Sequence, residues 1–140
     1  MAKSYEMIDH MADVGIEARA DTLEELLEAL AEGMAEVICP PSAVAPQARR
    51  TVAVVAEDLE AAAVDFLSAV LRLIQVERFM ISKVSVREVS GNSLAADVVG
   101  EPYNPGKHEI AREIKAVTYH QLKIVRDEDG RWFGRVIFDL

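Results

Sequence analysis

Apolar residues in this chain recur at two spacings, and the switches between them mark the elements. Tyr5–His10, with apolar cover at Tyr5, Met7 and Ile8, predicts a short strand, and Met11–Gly15 a turn. Gly15–Ala20 sets Ile16, Ala18 and Ala20 against Glu17 and Arg19, the alternation of a half-buried strand. From Leu23 the spacing becomes helical through Leu26, Leu27, Leu30, Met34 and Val37, and Glu24, Glu25, Glu28, Glu32 and Glu36 fill other faces. This predicts an amphipathic helix with Asp21 as its N-cap and a solvated acidic side. Gly33 costs such a helix about 1 kcal/mol relative to Ala, so its presence points to a close packing contact. Pro40–Pro41 stops the helix, and a loop runs through Pro46.

Arg50–Ala56 is β-rich, and Asp58 is placed to cap a second helix with Leu59, Ala62, Ala63, Phe66, Leu67 and Val70 on one broad stripe. That breadth predicts the more buried of the two helices. Phe79–Val89 and Ser93–Val99 read as strands joined by a Gly91–Asn92 hairpin turn. After a loop rich in Gly and Pro, β-branched residues run from Ile110 to Val125. Asp129–Gly130 then marks a tight turn into a last strand, Trp132–Phe138, with Trp132, Gly134, Val136 and Phe138 on one face.

Two strands, a helix, a strand, a helix and then a run of strands is not the strict alternation of a parallel α/β fold. It predicts one α+β domain over residues 1–140, with a mixed or largely antiparallel sheet and two main helices packed on it. A length of 140 residues fits one compact domain, and 51% hydrophobic residues can build one sizeable core. No apolar run is long enough to cross a membrane and no targeting segment is evident, so the cytoplasm is the expected location.

Charge narrows the function. The formal net charge is −9, whereas a protein that grips RNA alone carries a basic stripe to neutralise phosphates. Arg49–Arg50 is the only adjacent basic pair, so any service to RNA chemistry is expected to pass through a protein partner. The lone Cys39 excludes an internal disulfide and a Cys-pair zinc site, and its apolar setting predicts a buried, inert thiol. No Gly-rich phosphate loop, no Gly-x-Ser-x-Gly turn and no His-Glu-x-x-His motif is present, which argues against a self-sufficient enzyme.

Three clusters remain: Asp9 to Asp13, Glu113 to His120, and Val136 to Leu140. In the last, the Asp139 carboxylate stands beside the α-carboxylate of Leu140. Neighbouring negative groups repel unless a cation lies between them, and an all-oxygen set suits a hard cation such as Ca²⁺ or Mg²⁺. The competing reading of this cluster is a pair of solvated charges, and that of Lys115 an exposed strand lysine. His10 and His120 stand in no zinc-binding spacing.

These clusters carry a resemblance. Asp9-His10-Met11-Ala12-Asp13-Val14 resembles the Asp-His-Thr-Ala-Asp-Val opening of the archease family. Glu113 to Leu122 resembles the family's second signature, and Val136 to Leu140 its closing Val-Ile-x-Asp-Ile. Asp21-Thr22-Leu23 and Gly100-Glu101-Pro102 fit as well. Met11 stands where the family has threonine, and Leu140 where it has isoleucine.

The resemblance implies a single α+β domain that assists an RtcB-type RNA ligase in tRNA splicing and RNA repair. Such a protein is not an enzyme. It promotes guanylylation of the ligase, allows multiple turnover and broadens the nucleotides accepted. RNA and GTP are met only through the ligase, and no membrane is involved. By position, a divalent cation, calcium or alternatively magnesium, falls to Asp13, Asp139 and the main-chain oxygens of Leu140. Lys115 becomes the further functional position, with no catalytic residue. The alternatives by class are a metal-dependent phosphoester hydrolase and a general chaperone or adaptor. The ligase reading requires the fold to bring the early Asp-bearing turn alongside the end of the last strand.

Overall fold

The computed structural model describes residues 3–9 and 12–140, with Asp9 described by its backbone alone. His10 and Met11 lie outside the described residues. Among the described residues eight strands divide into two sheets, and every pairing is antiparallel. The first sheet holds β1 (Ser4–Asp9), β2 (Asp13–Ala20), β6 (Ala116–Val117), β7 (Lys123–Arg126) and β8 (Trp132–Asp139). The second is β3 (Ala48–Val55), β5 (Ser93–Pro102) and β4 (Phe79–Ser90), in that spatial order. Two helices, α1 (Leu23–Ile38) and α2 (Leu59–Gln75), complete the α+β domain, with a short 3-10 turn at Pro41–Ala43.

The strand alternation sets the first sheet's faces. Val14, Ile16, Ala18 and Ala20 of β2 and Val136 and Phe138 of β8 are fully buried, and α1 packs on both strands. Asp13, Gly15 and Glu17 therefore share the opposite face with Arg135, Ile137 and Asp139. β8 is central, with β2 on one side and β6 and β7 on the other.

Thr22, not Asp21, caps α1: its Oγ1 accepts from the Glu25 N–H at 3.1 Å. The helix accordingly begins one residue later than Asp21 would place it, and Arg131 sits 3.5 Å from the Asp21 carboxylate. Asp58 caps α2 as expected, accepting from the Ala61 N–H at 2.8 Å. The more buried helix is α1. Ten of its 16 residues are buried against nine of 17 in α2, because α1 is packed against β2, β8 and β4 together. Gly33 has the close contact its cost implied: a Cβ there would lie 2.9 Å from Ile16 Cγ2 and 3.1 Å from the Tyr5 ring.

The acidic side of α1 is not simply solvated. Glu32 Oε2 accepts from the Val84 N–H at 3.0 Å and Glu28 Oε2 from the Val86 N–H at 2.8 Å. Lys3 Nζ joins their other oxygens, 3.0 Å from Glu28 and 3.2 Å from Glu32. The two carboxylates thus satisfy successive outward donors on the edge of β4. Two further expectations change. Asp13–Gly15 already belongs to β2 and is not turn, and the run from Ile110 to Val125 forms regular strand only at Ala116–Val117 and Lys123–Val125, the latter extending to Arg126.

Candidate functional site

β2 and β8 pair in a register that sets Asp13 opposite Asp139. Asp139 is in turn opposite Ala116 of β6. The Lys115 N–H donates to the Asp139 carbonyl at 2.8 Å, and the Leu140 N–H donates to the Ala12 carbonyl at 3.3 Å. All four predicted positions, Asp13, Lys115, Asp139 and Leu140, are therefore brought to one end of the first sheet. The opening motif and the end of β8 meet because β8 is inserted between β2 and β6.

The outer face gives two contrasting cross-strand pairs. Glu17 faces Arg135, and the guanidinium binds the carboxylate at 2.8 Å. Four residues along, Asp13 faces Asp139, two acids where opposite charges would stabilise. Asp13 Oδ1 is buried with no hydrogen-bond partner among the described residues. A buried carboxylate oxygen left without a donor is costly, and a cation answers both that cost and the repulsion. With oxygen donors alone, the set fits a hard cation. Among the described residues there is no group of three or more His, Cys, Asp or Glu that could hold a metal ion.

Lys115 is exposed, and among the described residues its ammonium makes no ion pair. Thr118 fastens the same segment to β8, its N–H and its Oγ1 both donating to the Ile137 carbonyl, at 3.1 and 2.8 Å. His120 is exposed in the turn that follows. Cys39 is buried, and burial pushes its thiol pKa up, with Glu36 adding to the shift, as befits an inert thiol.

Sequence reasoning missed one polar cluster. Glu101 and His108 are both almost fully buried. Glu101 Oε2 accepts from Lys107 Nζ at 2.7 Å, the Ala45 N–H at 2.8 Å and His108 Nε2 at 2.9 Å. His108 Nδ1 accepts from the Asn104 N–H at 2.9 Å, which places the ring proton on Nε2. The cluster ties the end of β5 to the loops at 45 and 104–108. Its one signal in the sequence is an acid and a histidine seven residues apart around a loop rich in Gly and Pro.

The Lys107 ammonium, followed by the Ala45 N–H and the His108 ring, holds the Glu101 carboxyl at about 2, below its ordinary 4.5. A depressed carboxylate stabilises the fold in full above the unfolded value and loses that contribution as pH falls through the folded one. The melting temperature of the parent protein should therefore fall between pH 4.5 and 2. Glu101→Gln should be less stable near neutrality and flatter across that window, and equal slopes for both proteins would contradict the assignment.

Comparison with known proteins agrees with the fold. Residues 5–140 match the model of the Archease protein family (MTH1598/TM1083). Proteins named "Protein archease" from Thermococcus kodakarensis and Methanosarcina acetivorans are 40% and 37% identical to this chain. The alignments cover 99% of this chain in both cases, and 99% and 97% of those proteins respectively. The solution structure of Methanobacterium thermoautotrophicum protein 1598 is similar at a TM-score of 0.81 and 33% identity, over 97% of this chain and 98% of that one.

Proposed function

The chain belongs to the archease family, and from that premise we propose that it is a non-catalytic activator of an RtcB-type RNA ligase. It promotes guanylylation of the ligase, permits repeated turnover and widens the nucleotides used. The observation that carries the reading is the Asp13–Asp139 pair, two carboxylates in direct register with one oxygen buried and without a hydrogen-bond partner among the described residues. Asp13, Asp139 and a main-chain oxygen of Leu140 would hold one divalent cation, calcium or magnesium. When bound, the ion supplies a fixed positive charge with coordination positions left for a partner. Lys115 adds a second positive charge from the segment bonded to Asp139. Its ammonium is available for an anionic group on the ligase or its nucleotide.

The working place of such a protein is the cytoplasm, docked on the ligase. No helix among the described residues is long and apolar enough to cross a membrane.

The test is a ligation assay with catalytic ligase and excess RNA bearing a 3′-phosphate and a 5′-hydroxyl. With this protein present, product should pass the amount of ligase many times over. Without it, product should stop near one equivalent. Unchanged turnover would overturn the proposal, and phosphoester or GTP hydrolysis by the pure protein would move the reading to an enzyme.

A further inference from the structure

The carboxyl ends of α1 and α2 border an open cleft of about 500 Å³, closed on its far side by residues 110–115. Its apolar lining comes from the partly exposed Ile110 and from the rims of the buried Ile38, Ile74, Met80 and Ile114. Gln75, Arg78, Glu113 and Lys115, all exposed, supply its polar lining. The size and the apolar lining with a few polar groups are those of a small-molecule site.

The polar groups are of two kinds. Gln75 Nε2 is committed to the Ile114 carbonyl at 2.6 Å, which leaves its Oε1 as an acceptor. With the Glu113 carboxylate and two helix carboxyl ends, the cleft offers acceptors and partial negative charge. That suits the donor edge of a flat, polar-rimmed ring. Arg78 and Lys115 add cations that suit an attached anion. Arg78 is also held deliberately. Its backbone is left-handed at φ 54, its carbonyl accepts from the Tyr103 N–H at 2.7 Å, and its guanidinium lies 4.8 Å from the Tyr103 ring centre. A non-glycine residue in that region carries strain that its surroundings must offset.

We infer that this cleft binds a purine nucleotide, its base against Ile110 and the rims of the other isoleucines with its donor edge toward Glu113 and Gln75, and its phosphate at Arg78 and Lys115. Guanine suits it best, since its adjacent ring N–H and exocyclic amine match one carboxylate in a bidentate contact. This departs from the expectation that nucleotide is met only through the ligase. It deepens the proposed function, on which its biological role, though not the binding itself, rests.

The test uses the full chain with labelled isoleucine and methionine methyl groups, in chelator and without ligase, titrated with GMP, CMP and inorganic phosphate. GMP should give saturable shifts at Ile110, Ile38, Ile74, Met80 and Ile114 and bind about tenfold more tightly than CMP. Arg78→Ala should weaken both nucleotides about fivefold, and Glu113→Gln should bring GMP and CMP close to parity. These side chains are exposed, and a thermal melt of each variant verifies that the fold is kept. No saturable methyl shift at millimolar GMP would overturn the inference, as would shifts that phosphate alone reproduces. Ligase activation is measured separately. A protein that activates but does not bind GMP refutes the cleft alone, and one that binds GMP but does not activate supports the cleft and refutes the ligase reading.

Discussion

Asp13→Asn and Asp139→Asn should each abolish ligase activation while leaving the fold as stable as before, or slightly more so. The two residues are cross-strand partners, and like charges so placed cost roughly 0.2–1 kcal/mol. Removing one charge lifts that repulsion, so the melting temperature in chelator should hold or rise by about 1–4 °C. Calcium should raise the parent's melting temperature by mass action. In either variant that increment should shrink markedly, because Asn keeps a carbonyl oxygen but loses the carboxylate charge that balances the cation. Glu17→Gln, on the same face, is the informative comparison. It breaks the 2.8 Å pair with Arg135, so it should lower stability and leave the calcium response intact. Full activation by an Asp13 or Asp139 variant would remove both residues from the site.

Gly100→Ala should produce the largest loss of stability of any glycine replacement in the chain. A Cβ at Gly100 would overlap the Met80 carbonyl oxygen and fall 2.9 Å from its carbon. Both are backbone atoms of β4, beside the register shift between Ile81 and Lys83. No rotamer change can relieve such a contact, so β4 and β5 must part. The cost should be about 3 kcal/mol, the upper end for overpacking, measured as a lower midpoint in chemical denaturation. The damage extends to the next residue, since Glu101 carries the buried contacts to Ala45, Lys107 and His108. At Gly106 the nearest atom to an added Cβ is a side-chain oxygen of Asn104 at 3.3 Å, so Gly106→Ala should be nearly neutral. A Gly100→Ala protein as stable as the parent would contradict the β4–β5 register.

Much of this was legible in the sequence, for a physical reason. Periodicity reports which side of an element is covered, so both helices, the Gly91 and Gly130 hairpins and the buried face of β8 followed from spacing. The register of β2 against β8 did not. It depends on pairing across more than a hundred residues, and the meeting of Asp13 with Asp139 was anticipated only through the family resemblance. The acids of α1 show the same limit. Helical spacing says that Glu28 and Glu32 share a face, but not that the edge of β4 lies against it. Between Ile110 and Val125 composition favoured strand, yet most of that segment bonds irregularly, through Ala111 to Ile38 and Lys115 to Asp139. Asp21 and Thr22 are both good caps by type, and only the geometry at Glu25 decides between them.

The glutamate contacts on β4 have a consequence for how the molecule behaves in a crowd. A bare strand margin is a template onto which another chain can add. Here two carboxylates occupy its donors and present charge to any incoming strand. Taking both away would leave the core packing in place but open a seam for self-association, so the defect would surface first as concentration-dependent aggregation rather than as a lower melting point.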